Sequence, residues 1–163
     1  MISTYEPTNS YIGKFVHECI ENNKDPYITT FAFIADRIDH CKKIKNWLDD
    51  DKIVLCDRYT DSTLAYQSVQ LENEIKNPMK WLKEISDKNI IIPDRTFLFL
   101  IDPEISINRI KNRDKKISFE EVSFLKKVDK YYKKLATTDR FITVDATKSI
   151  DELVNICYRD IMY

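Results

Sequence analysis

The chain has 163 residues, 43% of them hydrophobic, which is enough for one buried core and too little for two ordinary domains. Its 26 basic and 27 acidic residues nearly cancel, so no overall charge favours nucleic acid or a charged membrane as a partner. The four cysteines form no CxxC pair, no apolar run approaches the roughly 20 residues of a membrane span, and no signal-like segment opens the chain, so we expect a soluble cytoplasmic protein with reduced thiols.

Turn residues and hydrophobic periodicity divide the first part of the chain into two strands and four helices. The predicted elements are a strand at 2–5, helices at 11–21 and 26–48, a strand at 52–57, a helix at 60–71 and a helix from 78 onward. The long second helix begins with Asp25 and Pro26, a favoured N-cap and N1 pair. The residues predicted to form its buried face, spaced three or four apart, are Phe31, Ile34, Ile38 and Cys41.

The second part of the chain continues this alternation. The run TFLFLI at 96–101 is apolar throughout, as are residues 53–56 of the earlier strand, which predicts strands buried on both faces. The remaining predicted elements are a helix from 102, a helix begun by a capping box at 118–121, a strand at 140–144 and a helix begun by a second box at 149–152. The alternation predicts an α/β fold with a parallel sheet covered by helices on both faces.

The chain contains a single glycine, Gly13. A phosphate-binding loop of the GxxxxGK(S/T) type needs two, because the backbone must approach the phosphates without a Cβ in the way. The segment YIGKF at 11–15 fails this pattern, since Thr8 stands where the first glycine belongs and Phe15 where the Mg²⁺-binding hydroxyl belongs. These 163 residues therefore contain no such loop.

Polar residues follow the predicted strands at their carboxyl ends; they are EPTNS at 6–10, Asp57 with Arg58, Asp102 and Asp145. Ligands of parallel sheets bind beyond these ends, so we expect the residues to converge on one edge. The planar guanidinium of Arg58 suits a phosphate, and Asp57 suits the task of holding it, or a metal-bound water, in place. The alternative is a structural ion pair between these two residues.

Phe33 and Arg37 lie four residues apart on the long helix and so share a face. An aromatic plane beside a hydrogen-bond donor suits a nucleobase, and such stacking contributes about 1 to 3 kcal/mol. The alternative is a core phenylalanine and a solvated arginine.

Several cations crowd the segment NRIKNRDKKIS between two predicted helices. They form either a solvated loop or a lid that closes over phosphates. His17 and His40 stand apart without metal-ligand spacing, so we predict surface or core histidines and no metal site. No Ser-His-Asp or Cys-His arrangement supports a hydrolase.

Six segments, in order along nearly the whole chain, resemble thymidylate kinases; they are EPTNSYIGK, FAFIADR, VLCDRYTDSTLAYQ, PDRTFLFLID, SFEEVSFLKKVDKYYKKLA and VDATKSIDELV. The most specific feature is DRYxDSxLAYQ at 57–67, placed after FIADR at 33–37. The resemblance implies an α/β, three-layer P-loop nucleoside-monophosphate-kinase-like fold with a parallel sheet flanked by helices, in a single domain over 1–163 with a lid at 113–118. It also implies an enzyme that transfers the γ-phosphoryl group of ATP, with Mg²⁺, to dTMP to give dTDP, as a cytoplasmic homodimer without nucleic-acid or membrane partners.

The resemblance implies a role for each matching position around the acceptor nucleotide. Phe33 stacks on thymine, and Arg37 donates to the 4-carbonyl, a position where the amino group of cytosine is disfavoured. Gln67 contacts the remaining base edge with Thr63 beside it. Tyr66 fills the space of a ribose 2′-hydroxyl, which favours a deoxynucleotide.

At the phosphates, the resemblance implies that Arg58 binds the monophosphate and that residues 6–9, beginning with Glu6, line the same pocket. His17 stands where the family commonly has an arginine that contacts the monophosphate, and a neutral histidine holds a dianion more weakly. The residues implied to be catalytic are Asp57, Arg58 and Arg113. Those implied to contact ATP are Arg109, Asp145, Ala146 and Thr147.

The family's first strand, P-loop and first helix have no counterpart in these residues, a segment of about 30 residues or more. We therefore expect an N-terminally incomplete domain with negligible kinase activity as these 163 residues alone, because that segment does much of the electrostatic work of phosphoryl transfer. The alternative is a non-catalytic nucleotide-binding or dimerisation fragment that has lost its donor site.

Overall fold

Two short pairs of parallel strands organise the chain. The computed structural model describes residues 1–86, 88, 90–102, 104–106 and 119–162, with side chains from 122 onward in the last range. Strand β1 (Ile2–Tyr5) pairs in parallel with β2 (Val54–Asp57). Strand β3 (Thr96–Leu100) pairs in parallel with β4 (Phe141–Asp145). The parallel pairing and the alternation of strands with helices confirm the α/β class.

Six helices of nine or more residues lie within the described ranges. They are α1 (Tyr11–Glu21), α2 (Pro26–Asp49), α3 (Thr60–Gln70), α4 (Pro78–Ser86), α5 (Phe119–Leu135) and α6 (Ile150–Met162). Residues 104–106 are also helical, in agreement with the helix expected after Asp102. Each strand and helix expected within the described residues is present, with ends that differ from the prediction by a few residues at most.

The chain divides into two units, Met1–Ile92 and Pro93–Tyr163. The first contains β1, β2 and helices α1 to α4, and the second contains β3, β4, α5 and α6. The single domain over 1–163 stays a prediction. The proposed lid at 113–118, with Arg109 and Arg113, lies outside the described residues.

The predicted caps explain where the helices begin. Asp25 accepts a hydrogen bond from the Tyr27 backbone N–H at 2.8 Å, with Pro26 as the first helical residue of α2. At α6 the Ser149 hydroxyl and backbone N–H both donate to Glu152, at 2.7 and 3.0 Å. These contacts confirm the capping box at 149–152. Ser118 and the side chain of Glu121, which form the other predicted box, lie outside the described side chains.

Two apolar clusters of the described residues lie in the core of the first unit. Val16 and Cys19 of α1 pack against Ala32 of α2, with Phe33 against the edge of this group. Further along α2, Cys41 and Ile44 pack with Tyr59, which follows β2. Helix α2 therefore contributes to both clusters and forms the centre of this unit.

The buried face predicted for α2 is wrong at Phe31, which is 53% exposed. Its ring instead meets Trp81 of α4 edge-on, with centroids 6.1 Å apart. The physical reason is that the inward face of α2 also buries Asp36, Arg37 and His40. Because the side of α2 with these polar residues faces inward, Phe31 lies outside the buried face. Ile34 and Cys41 are buried as predicted.

The expectation that the strands are buried on both faces is also wrong. Phe99 of β3 is 48% exposed, and Leu55 of β2 is 37% exposed. Each sheet of the described chain contains only two strands, and the burial of β2 alternates between half-buried and exposed side chains. An apolar run therefore predicted the strands correctly but not their covering.

None of the helices in the described ranges is both long enough and apolar enough to cross a bilayer.

Gly13 provides a test of the packing between α1 and the segment before it. A Cβ at this position overlaps the Thr8 carbonyl oxygen and lies 2.6 and 2.8 Å from the Thr8 carbonyl carbon and nitrogen, all of them backbone atoms. We expect Gly13→Ala to lower the free energy of unfolding by about 1 to 3 kcal/mol, as overpacking does, despite the higher helix propensity of alanine. Urea unfolding measures this. The exposed neighbour change Lys14→Ala serves as control, and equal stability of the two variants would contradict the packing argument.

The capping box of α6 predicts a pH dependence. Hydrogen bonds from Ser149 hold the pKa of Glu152 below its usual value. A lowered folded-state pKa gives stability that is present above the unfolded-state pKa, about 4.3, and that is lost as pH falls through the folded-state value. We expect wild type to melt above Glu152→Gln at pH 7, with the difference disappearing in acid. A difference that stays constant on acidification would refute the assignment.

Candidate functional site

The candidate site lies at the carboxyl ends of β1 and β2. Tyr5 and Asp57 are partners in the parallel register, and the Glu6 N–H donates to the Asp57 carbonyl at 3.1 Å. The segment that follows β1 and the residues that follow β2 therefore begin side by side. This part of the predicted convergence is confirmed. Asp102 and Asp145 belong to the second unit, where Asp145 pairs in register with Leu100.

Arg37 is the centre of the site, and it is only 1% exposed. Its Nε donates to Oε2 of Glu6 at 2.8 Å, and its Nη2 lies 2.6 Å from the same oxygen. Nη2 also donates to the Thr63 hydroxyl of α3 at 2.8 Å. The alternative of a solvated arginine is therefore wrong: the side chain joins β1, α2 and α3 in the interior.

One end of the Arg37 guanidinium has no partner among the residues that the structure describes. Nη1 is buried and makes no hydrogen bond to any of them, although it carries two N–H donors. The Tyr59 ring covers the guanidinium from one side, with 5.2 Å between Cζ and the ring centroid. Glu6, Thr63 and Tyr59 thus fix the guanidinium in place without using the donors of Nη1.

Glu6 is held from a second direction by His40, which is 2% exposed. His40 Nδ1 lies 3.0 Å from Glu6 Oε1, and its Nε2 lies 2.7 Å from the Thr4 hydroxyl. The structure confirms His40 as a core histidine with both nitrogens paired. His17 is on the surface of α1.

Asp36 precedes Arg37 on α2 and holds the segment after Glu6. Its carboxylate accepts from the Thr8 N–H at 2.7 Å, from the Thr8 hydroxyl at 2.6 Å and from the Ser10 hydroxyl at 2.9 Å. Ser10 in turn accepts from the Gly13 N–H at 2.9 Å and so caps α1. One buried carboxylate therefore fixes the loop that leaves β1 and the start of the next helix.

Arg58 follows β2 in an unusual backbone conformation. Its φ is +61°, in the left-handed region, which costs a non-glycine residue roughly 1 to 2 kcal/mol. Its guanidinium lies 5.4 Å from the centroid of the Tyr66 ring, and both Arg58 and Asp57 are exposed. Strain of this kind concentrates at functional positions, so the geometry favours a functional role for Arg58.

Phe33 and Gln67 lie on the helices that flank Arg37. Phe33 is half-buried against α1, one turn of α2 before Arg37. Gln67 of α3 is buried, and its amide donates to Gln70 at 2.6 Å. The first unit thus contains all of the predicted acceptor residues, which are Glu6, His17, Phe33, Arg37, Arg58, Thr63, Tyr66 and Gln67.

The predicted ATP-contacting residues lie in the second unit or outside the described chain. Asp145 accepts from the Thr147 N–H at 2.9 Å and from its hydroxyl at 2.7 Å, and these bonds hold the pKa of Asp145 below its usual value. Ala146 donates its N–H to the Leu100 carbonyl at 2.8 Å. These contacts describe an ordinary turn after β4.

Two groups near Arg37 stay protonated at neutral pH. Burial, with the nearby Glu6 charge, raises the pKa of the Cys56 thiol to about 12. Burial and the hydrogen bond with Cys41 raise the pKa of the Tyr59 phenol.

Within the described residues no three acidic, histidine or cysteine side chains form a group that suits a metal ion.

Three residues of this network were not assigned to the site from sequence; they are Asp36, His40 and Tyr59. The available signal was their spacing. His40 follows Arg37 by one helical turn, and Asp36 is a second charge directly after the apolar run FAFIA at 31–35. Charged residues at apolar-face positions of a long helix indicate a buried polar network.

Comparisons with known proteins agree with the resemblance. A family model described as Thymidylate kinase matches residues 1–156. A protein of Methanosarcina barkeri named "Probable thymidylate kinase" is 41% identical over 152 residues, which cover 91% of this chain and 74% of the relative. Proteins of the same name from Methanocaldococcus jannaschii and Methanococcoides burtonii are 40% and 37% identical, each over 93% of this chain and 77% of the relative. With a family match over nearly its full length and relatives at these identities, the chain belongs to the thymidylate kinase family.

Proposed function

We propose that this chain binds dTMP beyond the carboxyl ends of β1 and β2 and takes part in transfer of the γ-phosphoryl group of ATP to it. A phosphate oxygen of dTMP attacks the γ-phosphorus, the bond to ADP breaks, and dTDP forms. Family membership supports the reaction. The single observation that carries the acceptor site is the buried, unpaired Nη1 of Arg37.

The geometry around Arg37 suits a pyrimidine with a 4-carbonyl. A buried donor without a partner costs about 1 to 3 kcal/mol, and a carbonyl oxygen at Nη1 removes that cost. Cytosine presents an amino group at the same place, so two donors face each other. Phe33, one turn earlier on α2, is half-buried and offers a ring face for stacking. Thymine satisfies both requirements.

Arg58 and Tyr66 suit the sugar and phosphate end. The guanidinium lies over the Tyr66 ring and at the mouth of the two strands, where a monophosphate dianion gains charge-assisted hydrogen bonds. Asp57 is adjacent and supports this end. Tyr66 then lies where a ribose 2′-hydroxyl would be, and Gln67, with Thr63, borders the base.

The donor side of the site is proposed from the family alone. Arg109 and Arg113 are proposed as lid cations, and Asp145 to Thr147 as neighbours of adenine. Mg²⁺ arrives with the ATP phosphates as part of the substrate, and we assign it to no residue of this chain. The P-loop nucleoside-monophosphate-kinase-like fold, the phosphate role of His17 and the homodimer are proposals of the same kind.

Stacking on Phe33 gives the first test of the proposed function. We expect Phe33→Leu to weaken dTMP binding by about 1 to 3 kcal/mol, because leucine keeps the apolar packing and loses the ring face. Isothermal titration calorimetry with dTMP measures the effect. The matched control is Phe31→Leu, two residues earlier on the same helix, where the ring meets Trp81. Binding of dTMP that is equally weakened in both variants would count against the stacking role.

The same titration separates the proposed enzyme from the fragment alternative. Stabilisation of the 163-residue chain by dTMP and not by ATP indicates an acceptor pocket without a donor site. Release of ADP that depends on dTMP indicates transfer. Absence of any dTMP binding by wild type would overturn the proposed function.

The left-handed backbone of Arg58 gives a second test. Glycine adopts this conformation without strain, so we expect Arg58→Gly to be more stable than Arg58→Ala by about 1 kcal/mol. Both variants lack the guanidinium and are expected to lose dTMP affinity alike. Thermal unfolding and calorimetry give the two readouts. Tight dTMP binding by either variant would remove Arg58 from the phosphate site.

A further inference from the structure

The two oxygens of the buried Glu6 carboxylate serve different partners. Oε2 accepts from Nε of Arg37 at 2.8 Å and lies 2.6 Å from its Nη2. Oε1 is 3.0 Å from Nδ1 of His40 and makes no bond to Arg37. Carboxylates usually grip an arginine fork with both oxygens in parallel. Here one oxygen is withheld from the fork by the imidazole.

We propose that His40 is a positioning residue for base selection. Because His40 holds Oε1 of Glu6, the other oxygen, Oε2, faces the Nε and Nη2 edge of Arg37. This arrangement of the guanidinium directs Nη1 toward the base carbonyl. The proposal rests on the proposed function, because it assigns the target of Nη1 to a nucleobase. In this proposal His40 itself contacts neither the nucleobase nor the phosphate.

The chemistry of His40 fixes the direction of the interaction. An ionised carboxylate only accepts hydrogen bonds, so Nδ1 carries a hydrogen and donates to Glu6. Nε2 meets the Thr4 hydroxyl of β1 at 2.7 Å, which anchors the ring from its other end. With the ring anchored to the strand, the angle of the Glu6 carboxylate is set by the backbone of β1 and α2.

Loss of the Nδ1 contact leaves Oε1 buried without a partner. The carboxylate then lowers its energy by rotating until both oxygens face Arg37, because the guanidinium has N–H groups that can donate to the second oxygen. The rotation moves the guanidinium relative to Thr63 and swings Nη1 away from its present direction. The base contact weakens while the phosphate contact at Arg58 is unaffected, so the selectivity between bases falls.

Two substitutions at His40 separate positioning from simple packing. The amide of asparagine places a donor near the position of Nδ1, and the longer glutamine places its amide near Nε2. His40→Asn therefore keeps the bond to Glu6, whereas His40→Gln keeps the bond to Thr4. Each variant retains one of the two polar partners of His40, whereas His40→Leu would lose both.

The measurement is the ratio of dissociation constants for dCMP and dTMP, by calorimetry, in wild type and both variants. We expect His40→Asn to keep the wild-type ratio and His40→Gln to lower it about tenfold, the loss of one hydrogen bond to a charged group. The Nε–H proton resonance of Arg37 is expected to shift in His40→Gln and to stay in place in His40→Asn. Thr30→Val is the control, because Thr30 is buried on the same helix and its hydroxyl has no partner.

The outcomes distinguish this proposal from the function on which it rests. If wild type binds dTMP better than dCMP and both His40 variants keep the wild-type ratio of dissociation constants, the positioning role alone is overturned. A fall in affinity for both nucleotides at a constant ratio would indicate packing only and would also overturn it. A wild-type chain with no preference for dTMP would overturn the proposed function and this proposal with it.

Discussion

The first unit depends on the burial of one ion pair, Arg37 with Glu6. Two charges removed from water carry a desolvation cost that is offset only when their remaining hydrogen-bonding groups are satisfied. In this protein Thr63, His40 and the Tyr59 ring provide most of that satisfaction. The pair is thus connected to β1, α2 and α3 at once. Removal of either charge leaves the other buried alone, which typically costs about 3 to 5 kcal/mol.

This constraint explains the composition of α2. A central helix in a small unit would ordinarily bury an apolar stripe, but the inward side of α2 carries Asp36, Arg37 and His40 among apolar residues. The helix uses successive turns for different tasks. Its first turns pack on α1, its middle fixes the loop and the candidate site, and its last turns pack around Tyr59. Structural and functional requirements therefore share the same few residues.

Whether the sequence predicts a feature of this structure depends on how far apart along the chain the interacting residues lie. Helix starts were predictable because their caps are local: Asp25 and Ser149 each bond a residue two or three positions away. The burial of Arg37 was not, because Glu6 lies 31 residues earlier and an isolated arginine favours solvent. Phe31 was misplaced for the same reason, since the polar groups that turn α2 find their partners far along the chain. The spacing of Phe33 and Arg37 predicted a nucleobase site, and the resemblance to a family added the prediction that the base is thymine.

The loop between β1 and α1 has a consequence for the order in which the protein folds. It has little regular secondary structure, and its main side-chain anchors reach Asp36 and Arg37, 28 and 31 positions along the chain. Closing such long-range contacts is slow compared with forming a helix, so α2 must form and dock before the loop acquires its shape. The candidate pocket is then among the last parts of the first unit to assemble. A nucleotide that binds there would therefore act as a late folding partner for this segment of the chain.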